Sequence, residues 1–253
     1  MTTLVLKIGG NELDDPAFVA ELARVVAGLR PQPVLVHGGG KEIGMIQKAL
    51  GGEPRFVAGL RVTDEAALQA AEMVLCGLVA TRLVAALVAA GADALGISGV
   101  DRGLIRVEKA QHPDGDLGRV GRPVAVRAEV LRELLAQGVV PVVAPISLGP
   151  EGTYNVNGDE AAGAIAGALQ DAELVFVTNV PGVLVGGDHT ETPLFAAQLS
   201  AAEIAALIDD GTINGGMIPK VRAALTALDA GVRVARITNL AGLQHGSGTV
   251  IRS

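Results

Sequence analysis

Two glycine-rich turns near the N-terminus, Lys7-Ile-Gly-Gly10 and His37-Gly-Gly-Gly40, organise the rest of this sequence. Each turn follows a short apolar run, residues 4–6 and 34–36, and each precedes residues that can form a helix. A strand that opens through glycines into a helix presents backbone NH groups that an anion can approach without a Cβ in the way. Two such turns side by side predict a pocket for a strongly negative ligand, and phosphate is the first candidate.

The composition is that of a folded, acidic α/β protein. The chain has 253 residues, 49% of them apolar, and a formal net charge of −7 with no basic run. Its length fits one large domain or two modest lobes. With no Trp, one Tyr and four Phe, it lacks the stacking platforms and basic patches that bind nucleic acids. An acidic protein that binds anions must concentrate its few cations locally, which directs attention to Lys7, Arg61 and Lys220.

Cysteine usage and hydropathy limit the kinds of metal site and the cellular location that the protein can have. Cys76 is the only cysteine and the four His are scattered, so neither a disulfide nor a thiolate zinc site can form. The chain begins with a strand-like run rather than a leader, and no apolar stretch of bilayer-crossing length is free of charge or turn signals. We therefore expect a cytoplasmic protein that binds no metal through its own side chains, no membrane and no nucleic acid.

Apolar spacing alternates between strand-like and helix-like along the chain, which predicts a mainly parallel sheet with helices on both faces. Residues 65–90 form a long Ala-rich helical stretch that Gly77 could interrupt. Residues 104–126 alternate like β-structure and predict a hairpin lying over one edge of the sheet. Ser200-Ala-Ala-Glu203 is a capping box that begins a helix, and residues 186–193 form a looser stretch before it.

Several common nucleotide and hydrolase motifs are absent. The sequence contains no G-x-x-x-x-G-K-[ST], no G-x-G-x-x-G after the early strands and no G-x-S-x-G.

Six other segments occur in a fixed order, and any one of them alone is a weak signal. The segments are Lys7-Ile-Gly-Gly10, His37-Gly-Gly-Gly40, Gly59-Leu-Arg-Val-Thr-Asp64, Asn155-Val-Asn-Gly-Asp159, Thr178-Asn-Val-Pro-Gly182 and Gly215-Gly-Met-Ile-Pro-Lys220. Together they resemble the amino acid kinase family over essentially the whole chain, and within it the acetylglutamate kinases.

That resemblance implies an open αβα sandwich forming a single kinase domain over residues 1–253. Residues 1–170 would be an N-terminal lobe that binds the acyl-amino acid, and residues 171–253 a C-terminal lobe that binds ATP. The implied reaction is phosphoryl transfer from ATP with Mg²⁺ to the side-chain carboxylate of N-acetyl-L-glutamate, a step of arginine biosynthesis. A carboxylate is already ionised at neutral pH and needs no general base, so the work left is to align two anions and neutralise the moving charge.

By the family's pattern, Lys7 and Lys220 stabilise the phosphoryl group in the transition state, and Asp159 orients both ammonium groups. The substrate-binding residues implied are Gly39, Gly40, Arg61 and Asn155, with Arg61 suited to the α-carboxylate and Asn155 to the N-acyl amide. The nucleotide-binding residues implied are Gly9, Gly10, Thr178, Asn179, Gly182, Gly215 and Met217. No residue is assigned to a metal, because Mg²⁺ is usually carried by the nucleotide's phosphates.

Other interpretations compete with these assignments. Lys7 and Lys220 could be ordinary solvent-facing lysines, Arg61 an arm of a surface hairpin, and Asp159 a helix cap. The sequence departs from the family pattern at Asn179, where Asp is commoner, and at residues 80–81, where an Asn-Lys pair is usual. These departures leave open a kinase for acetylated or carrier-protein-bound 2-aminoadipate in lysine biosynthesis, and an inactive kinase fold serving as a sensor. We expect a homodimer formed through the 65–90 helical region, and no inhibition by arginine.

Overall fold

A computed structural model describes residues 2–57, 59–186 and 194–252 of the chain. Most of the predicted looser stretch before the capping box therefore lies outside the described residues. The strands are β1 (Thr3–Ile8), β2 (Val34–His37), β3 (Phe56–Val57), β4 (Leu60–Arg61), β5 (Ala94–Gly99), β6 (Ile105–Lys109), β7 (Val120–Val126), β8 (Val140–Gly149), β9 (Gly152–Val156), β10 (Ala172–Val177), β11 (Leu184–Gly186), β12 (Leu194–Phe195), β13 (Gln198–Ser200), β14 (Val234–Thr238) and β15 (Thr249–Arg252).

The helices alternate with these strands much as the apolar spacing predicts. They are α1 (Pro16–Gly28), α2 (Gly40–Ala49), α3 (Glu65–Glu72), α4 (Ala80–Ala89), α5 (Ala128–Ala136), α6 (Gly158–Leu169), α7 (Ala201–Asp209), α8 (Met217–Asp229) and α9 (Leu240–His245), with 3₁₀ turns at Glu12–Asp14 and Asp101–Gly103. The predicted capping box is confirmed: Ser200 and Glu203 exchange hydrogen bonds at the start of α7.

Eleven strands of the described residues form one sheet, in the order β13-β15-β14-β10-β1-β2-β8-β6-β7-β9, with β5 paired to β8. The central pairs β14–β10, β10–β1, β1–β2, β2–β8 and β5–β8 are parallel. Antiparallel pairs occur nearer the ends, at β14–β15, β6–β7 and β8–β9. The predicted mainly parallel central sheet is confirmed.

Each face of the sheet is covered by helices, and β1 shows how the sequence arranges this. Side chains alternate across a strand, so Val5 joins one apolar core while Leu6 and Ile8 join the other. The first core takes apolar side chains from α5, α6, α7 and α8, and the second takes them from α1, α2, α3, α4 and α9. All three β1 residues have no solvent exposure, which is worth about 1.5–3 kcal/mol for each side chain. The αβα sandwich is therefore confirmed.

The hairpin predicted over residues 104–126 exists, but its expected position is wrong. β6 and β7 pair antiparallel, and they continue the main sheet rather than lie over its edge, because β6 pairs with β8 and β7 with β9. The strand β9 supplies that last pairing. It places Asn155 in a strand directly before α6.

The long helix predicted over residues 65–90 is continuous from Glu65 to Ala89. The expected interruption at Gly77 takes the form of a π-helical segment, Met73–Val79, between α3 and α4. By length and composition this helix could cross a membrane. One of its sides is nevertheless packed into the second core, through residues such as Val74 and Leu83.

Candidate active site

The two glycine turns meet at one edge of the sheet. β1 and β2 are parallel neighbours with Ile8 paired to His37, so both strands end at the same edge and their turns follow side by side. The NH of Gly38 donates to the carbonyl of Ile8 over 3.1 Å. A Cβ on Gly10 would lie 2.9 Å from the backbone N of Gly39. The turns lie side by side, as predicted, and Gly10 is needed because backbone occupies the space of a side chain.

Lys7 and Asp159 form an ion pair beside these turns. The Lys7 side chain runs past Gly158, where its Cε lies 3.6 Å from the place of a Cβ, and its Nζ reaches Asp159 Oδ1 at 2.7 Å. Asp159 lies in the first turn of α6, and Asn157 caps that helix by accepting the Asp159 NH at 2.8 Å. The positive end of the helix dipole favours a carboxylate there. Asp159 is thus both in a capped first turn and paired with Lys7.

Lys220 approaches the same region from α8. Its Nζ lies 4.0 Å from Glu12 Oε1, in the 3₁₀ turn that follows the first glycine turn. Of the carboxylates in the described ranges, Glu12 alone comes within 4.0 Å of Lys220. The resemblance predicts Asp159 as the partner of both lysines, whereas here Asp159 pairs with Lys7 and Glu12 faces Lys220.

A cavity of about 190 Å³ opens beside the second glycine turn. Its walls include all four predicted substrate-binding residues, Gly39, Gly40, Arg61 and Asn155. Leu75 and Leu60 add apolar surface, while Gly38, Asn157 and Gly158 connect the cavity to the Lys7–Asp159 pair. An apolar cavity with a few convergent polar groups is the usual form of a small-ligand site.

Arg61 is held in the cavity wall by two hydrogen bonds and a cation–π contact. Its Nη1 donates to Gln47 Oε1 at 2.9 Å and its Nη2 to the carbonyl of Gly40 at 2.6 Å. Its guanidinium carbon lies 4.9 Å from the centre of the Phe56 ring. Burial lowers the pKa of Arg61 from its usual value, although a guanidinium stays charged at physiological pH. A fixed, charged fork of this kind can bind a carboxylate.

The other polar groups near the cavity have internal partners. Asn155 Nδ2 donates to Thr63 Oγ1 at 3.3 Å, which leaves its amide oxygen for a ligand. His37 is fully buried, and desolvation lowers its pKa to about 4, helped by the charge of Arg82 and opposed by the Gly38 carbonyl. The imidazole is therefore neutral at pH 7 and cannot offer a positive charge to a phosphate.

A second cavity, of about 310 Å³, lies near the start of α8. Two predicted nucleotide-binding residues, Gly182 and Met217, are in its walls, and Gly215 follows the lining residue Asn214. Val180 belongs to the segment Thr178-Asn-Val-Pro-Gly182, but no sequence pattern indicated the lining residues Leu184, Phe195, Thr212 and Ile213. They come from separate loops and short strands whose meeting depends on the fold.

Thr178 and Asn179 lie in the turn after β10, which pairs with β1. Thr178 is buried, and its hydroxyl donates to the carbonyl of Val180 at 2.9 Å and accepts the Val180 NH at 3.1 Å. It therefore shapes the turn, while Asn179 is exposed. Gly182 is required on steric grounds, since a Cβ there would lie 2.6 Å from Thr249 Oγ1.

The described part of the chain contains no group of three or more His, Cys, Asp or Glu side chains arranged to hold a metal ion. The glycine turns and the two lysines instead suit an anion. A divalent ion at this site would arrive on the phosphates of the ligand, in the way that Mg²⁺ usually binds.

Comparison with known proteins gives a consistent result. The acetylglutamate kinase of Roseiflexus sp. (strain RS-1) is 72% identical over 249 residues, covering 98% of this chain and 93% of that protein. The acetylglutamate kinase of Methanopyrus kandleri is 50% identical over 253 residues, covering 98% and 99%.

Solved structures share the fold. N-acetylglutamate synthase from Neisseria gonorrhoeae, complexed with coenzyme A and N-acetyl-glutamate, matches with a TM-score of 0.79 at 26% identity, covering all of this chain and 59% of that one. Carbamate kinase from Giardia lamblia matches with a TM-score of 0.67 at 20% identity, covering 99% and 98%. The model of the amino acid kinase family matches residues 2–239, and the chain belongs to that family.

Proposed function

We propose that the chain transfers the γ-phosphoryl group of ATP to the side-chain carboxylate of N-acetyl-L-glutamate, giving N-acetylglutamyl 5-phosphate for arginine biosynthesis. One observation carries the proposal. The cavity containing Arg61 opens next to the Lys7–Asp159 pair and the two glycine turns, at one edge of the sheet. The relatives named acetylglutamate kinase support this choice of acceptor.

The acceptor would bind in the 190 Å³ cavity. Arg61 would hold the α-carboxylate with its guanidinium fork, and Asn155 would accept the N–H of the acetamido group through its amide oxygen. The NH groups of Gly39 and Gly40 would face the reacting carboxylate. This arrangement points the side-chain carboxylate toward the Lys7–Asp159 pair.

The donor would place its base and sugar in the 310 Å³ cavity, beside Gly182, Gly215 and Met217, and its phosphates along Gly9 and Gly10. Thr178 and Asn179 would shape the turn after β10 and border the nucleotide. A carboxylate oxygen attacks the γ-phosphorus, the bond to the β-phosphate oxygen breaks, and ADP leaves with the electron pair.

Because both reactants are anions, charge neutralisation dominates this catalysis. Lys7 would stabilise the transferring phosphoryl group from the sheet side, with Asp159 fixing its position. Lys220 would do so from α8. Mg²⁺ carried on the nucleotide would neutralise the remaining phosphate charge. No group has to remove a proton from the acceptor, because its carboxylate is already ionised at neutral pH.

The positions of the two cavities fit a protein in which each of two lobes binds one substrate. All residues that line the acceptor cavity lie between residues 38 and 158, and all that line the nucleotide cavity lie between residues 180 and 217. We therefore infer that residues 1–170 bind the acyl-amino acid and residues 171–253 bind ATP.

An acceptor panel tests the function. Purified protein is given ATP and Mg²⁺ with acetylglutamate, acetylaminoadipate or carrier-bound aminoadipate, and acyl phosphate is trapped as a hydroxamate. We expect acetylglutamate to be by far the best acceptor. Faster turnover of either aminoadipate substrate would overturn the assignment, and ATP binding without any acyl phosphate would indicate an inactive kinase fold.

We infer further that the protein is a cytoplasmic homodimer joined through the Glu65–Ala89 helix. A groove of about 860 Å³ runs between this helix and β5, and Cys76, Thr81 and Val88 are among its lining residues. In the described structure β5 pairs only with β8, so its other side is open, and Leu78 on the helix is 48% exposed. A second copy of the chain, packing through the same apolar face, would cover the open side of β5 and Leu78.

Light scattering after size-exclusion chromatography tests the dimer. Replacing Ala85, which lines the groove, by Arg is expected to give a monomer. Ala136→Arg, at an exposed position on α5, serves as the control that should remain dimeric. A wild-type monomer or hexamer would contradict the inference.

A further inference from the structure

Glu12 is placed where an anionic ligand is expected. It follows the first glycine turn, and its Oε2 lies 2.1 Å from the position that a Cβ on Gly9 would occupy. The carboxylate thus rests directly on Gly9, using the space left by the missing side chain. Its side chain is only 14% exposed. A carboxylate, like a phosphate, carries negative charge on acceptor oxygens, so it can occupy the same surroundings.

The cation beside Glu12 is one that the proposed function assigns to phosphate. Lys220 Nζ lies 4.0 Å from Glu12 Oε1, beyond hydrogen-bond distance, and 32% of the Lys220 side chain is exposed. In the described structure no NH or OH group donates a hydrogen bond to the Glu12 carboxylate. The carboxylate is therefore enclosed and close to a positive charge, but it is not fixed in place.

We propose that Glu12 is a built-in competitor of the terminal phosphate of the nucleotide. This inference rests on the proposed function. The Glu12 carboxylate occupies the space against Gly9 and faces Lys220. When ATP binds, its γ-phosphate displaces that carboxylate, and Lys220 exchanges one anion for another.

The direction of the change in ATP affinity distinguishes competition with the phosphate from a role in holding Lys220 in position. If Glu12 competes with the phosphate, removing its charge strengthens ATP binding, because a repulsive anion is lost and Lys220 is free. If Glu12 only held Lys220 in position, removing its charge would lower turnover and leave nucleotide affinity unchanged or weaker. Two unit charges about 4 Å apart interact, in a water-like medium, by enough to change an equilibrium about fivefold. The partial enclosure of Glu12 raises the expected change toward tenfold.

Calorimetric titration with Mg²⁺ and either AMP-PNP or ADP, in the absence of acceptor, tests the proposal. The variants are Glu12→Gln, which keeps the shape and removes the charge, and Glu12→Asp, which keeps the charge and withdraws it from Gly9. Glu21→Gln is the matched control, because Glu21 is a half-exposed carboxylate on α1. Thermal melting of each variant establishes that it is folded.

We expect Glu12→Gln to bind AMP-PNP about five- to tenfold more tightly than the wild type, with Glu12→Asp intermediate and Glu21→Gln unchanged. ADP, which lacks the γ-phosphate, should gain less than about twofold. Unchanged or weaker AMP-PNP binding by Glu12→Gln would overturn the proposal, as would an equal gain for ADP. If Glu12→Gln does not fold, the AMP-PNP affinity of Glu12→Asp serves as the test, and a value no tighter than that of the wild type would overturn the proposal. A wild type that binds neither nucleotide would refute the proposed function itself, whereas an active wild type without the Glu12 effect would refute this inference alone.

Discussion

Replacing Gly10 by Ala should damage the site through the packing of the two glycine turns. The added Cβ would lie 2.9 Å from the N of Gly39, 3.0 Å from its Cα and 3.0 Å from the N of Gly40, whereas ordinary contacts begin at 3.4 Å. The turns must therefore separate by about half an ångström. All three atoms are backbone, so no side chain can rotate away. Overpacking of this kind costs about 1–3 kcal/mol of stability.

The effect on turnover should exceed the effect on stability. The turns carry the donor and acceptor sides of the proposed reaction, and a misplacement of about 1 Å can cost about a hundredfold in rate. We expect Gly10→Ala to lower kcat in the hydroxamate assay by about tenfold or more, and to reduce the urea midpoint of unfolding.

The control for Gly10→Ala is Gly28→Ala. Gly28 ends α1 with nothing within 4 Å of its place for a Cβ, so activity should be unchanged and stability equal or higher. A Gly10→Ala protein with the turnover and the unfolding midpoint of the wild type would refute the argument that the turns are in contact.

Three further predictions follow from the geometry of the site. Lys7→Met removes the 2.7 Å partner of Asp159 and the charge on the phosphoryl group, so single-turnover transfer should fall about a hundredfold or more; a loss below threefold would contradict the role. Arg61→Lys cannot reproduce the two hydrogen bonds of 2.9 and 2.6 Å, so the KM for acetylglutamate should rise about tenfold with a smaller change in kcat. Burial lowers the pKa of His37 to about 4, so the unfolded state takes up a proton that the folded state refuses between pH 6.5 and pH 4. The free energy of unfolding should therefore fall by about 1.4 kcal/mol between pH 7.5 and pH 5.5, and urea titrations of His37→Gln should lack this contribution.

Local sequence patterns predicted the fold well where neighbouring residues decide the structure. The alternation of apolar runs is a short-range signal, and it located the central strands and most helices. The glycine turns could also be paired from the sequence, because parallel strands that are neighbours end at the same edge of the sheet. The placement of β6 and β7 could not, since it depends on their pairing with β8 and β9, which come later in the chain.

Some residues of the candidate site could likewise be predicted from the sequence, and others could not. Arg61, Asn155, Gly39 and Gly40 were predicted from the resemblance, and they do line one cavity. The contact between Lys220 and Glu12 could not be predicted, because it joins distant segments through two flexible side chains. Phe195 and Thr212 were missed for a similar reason: an apolar or hydroxyl side chain in a loop carries no sign of which cavity it will line.

The π-helical segment Met73–Val79 has a consequence for the whole Glu65–Ala89 helix. Buried residues recur at every fourth position, at Ala67, Ala71, Leu75, Val79, Leu83 and Leu87. In a regular α-helix this spacing would rotate by about 40° at each step and about 200° in all, turning the last residue away from the sheet.

The wider π turns take up part of that rotation and keep the buried side facing the core. The opposite side stays in line for the same reason, with exposed residues at positions 73, 77, 81, 85 and 89. Regular α winding of the same residues would swing the second half of the helix out of phase with the first. Deleting a single residue within the π segment would restore regular winding and keep the two halves nearly in phase, because a π segment takes up about one extra residue. The straightness of the outer surface is thus set by how the helix is wound, independently of which side chains it presents.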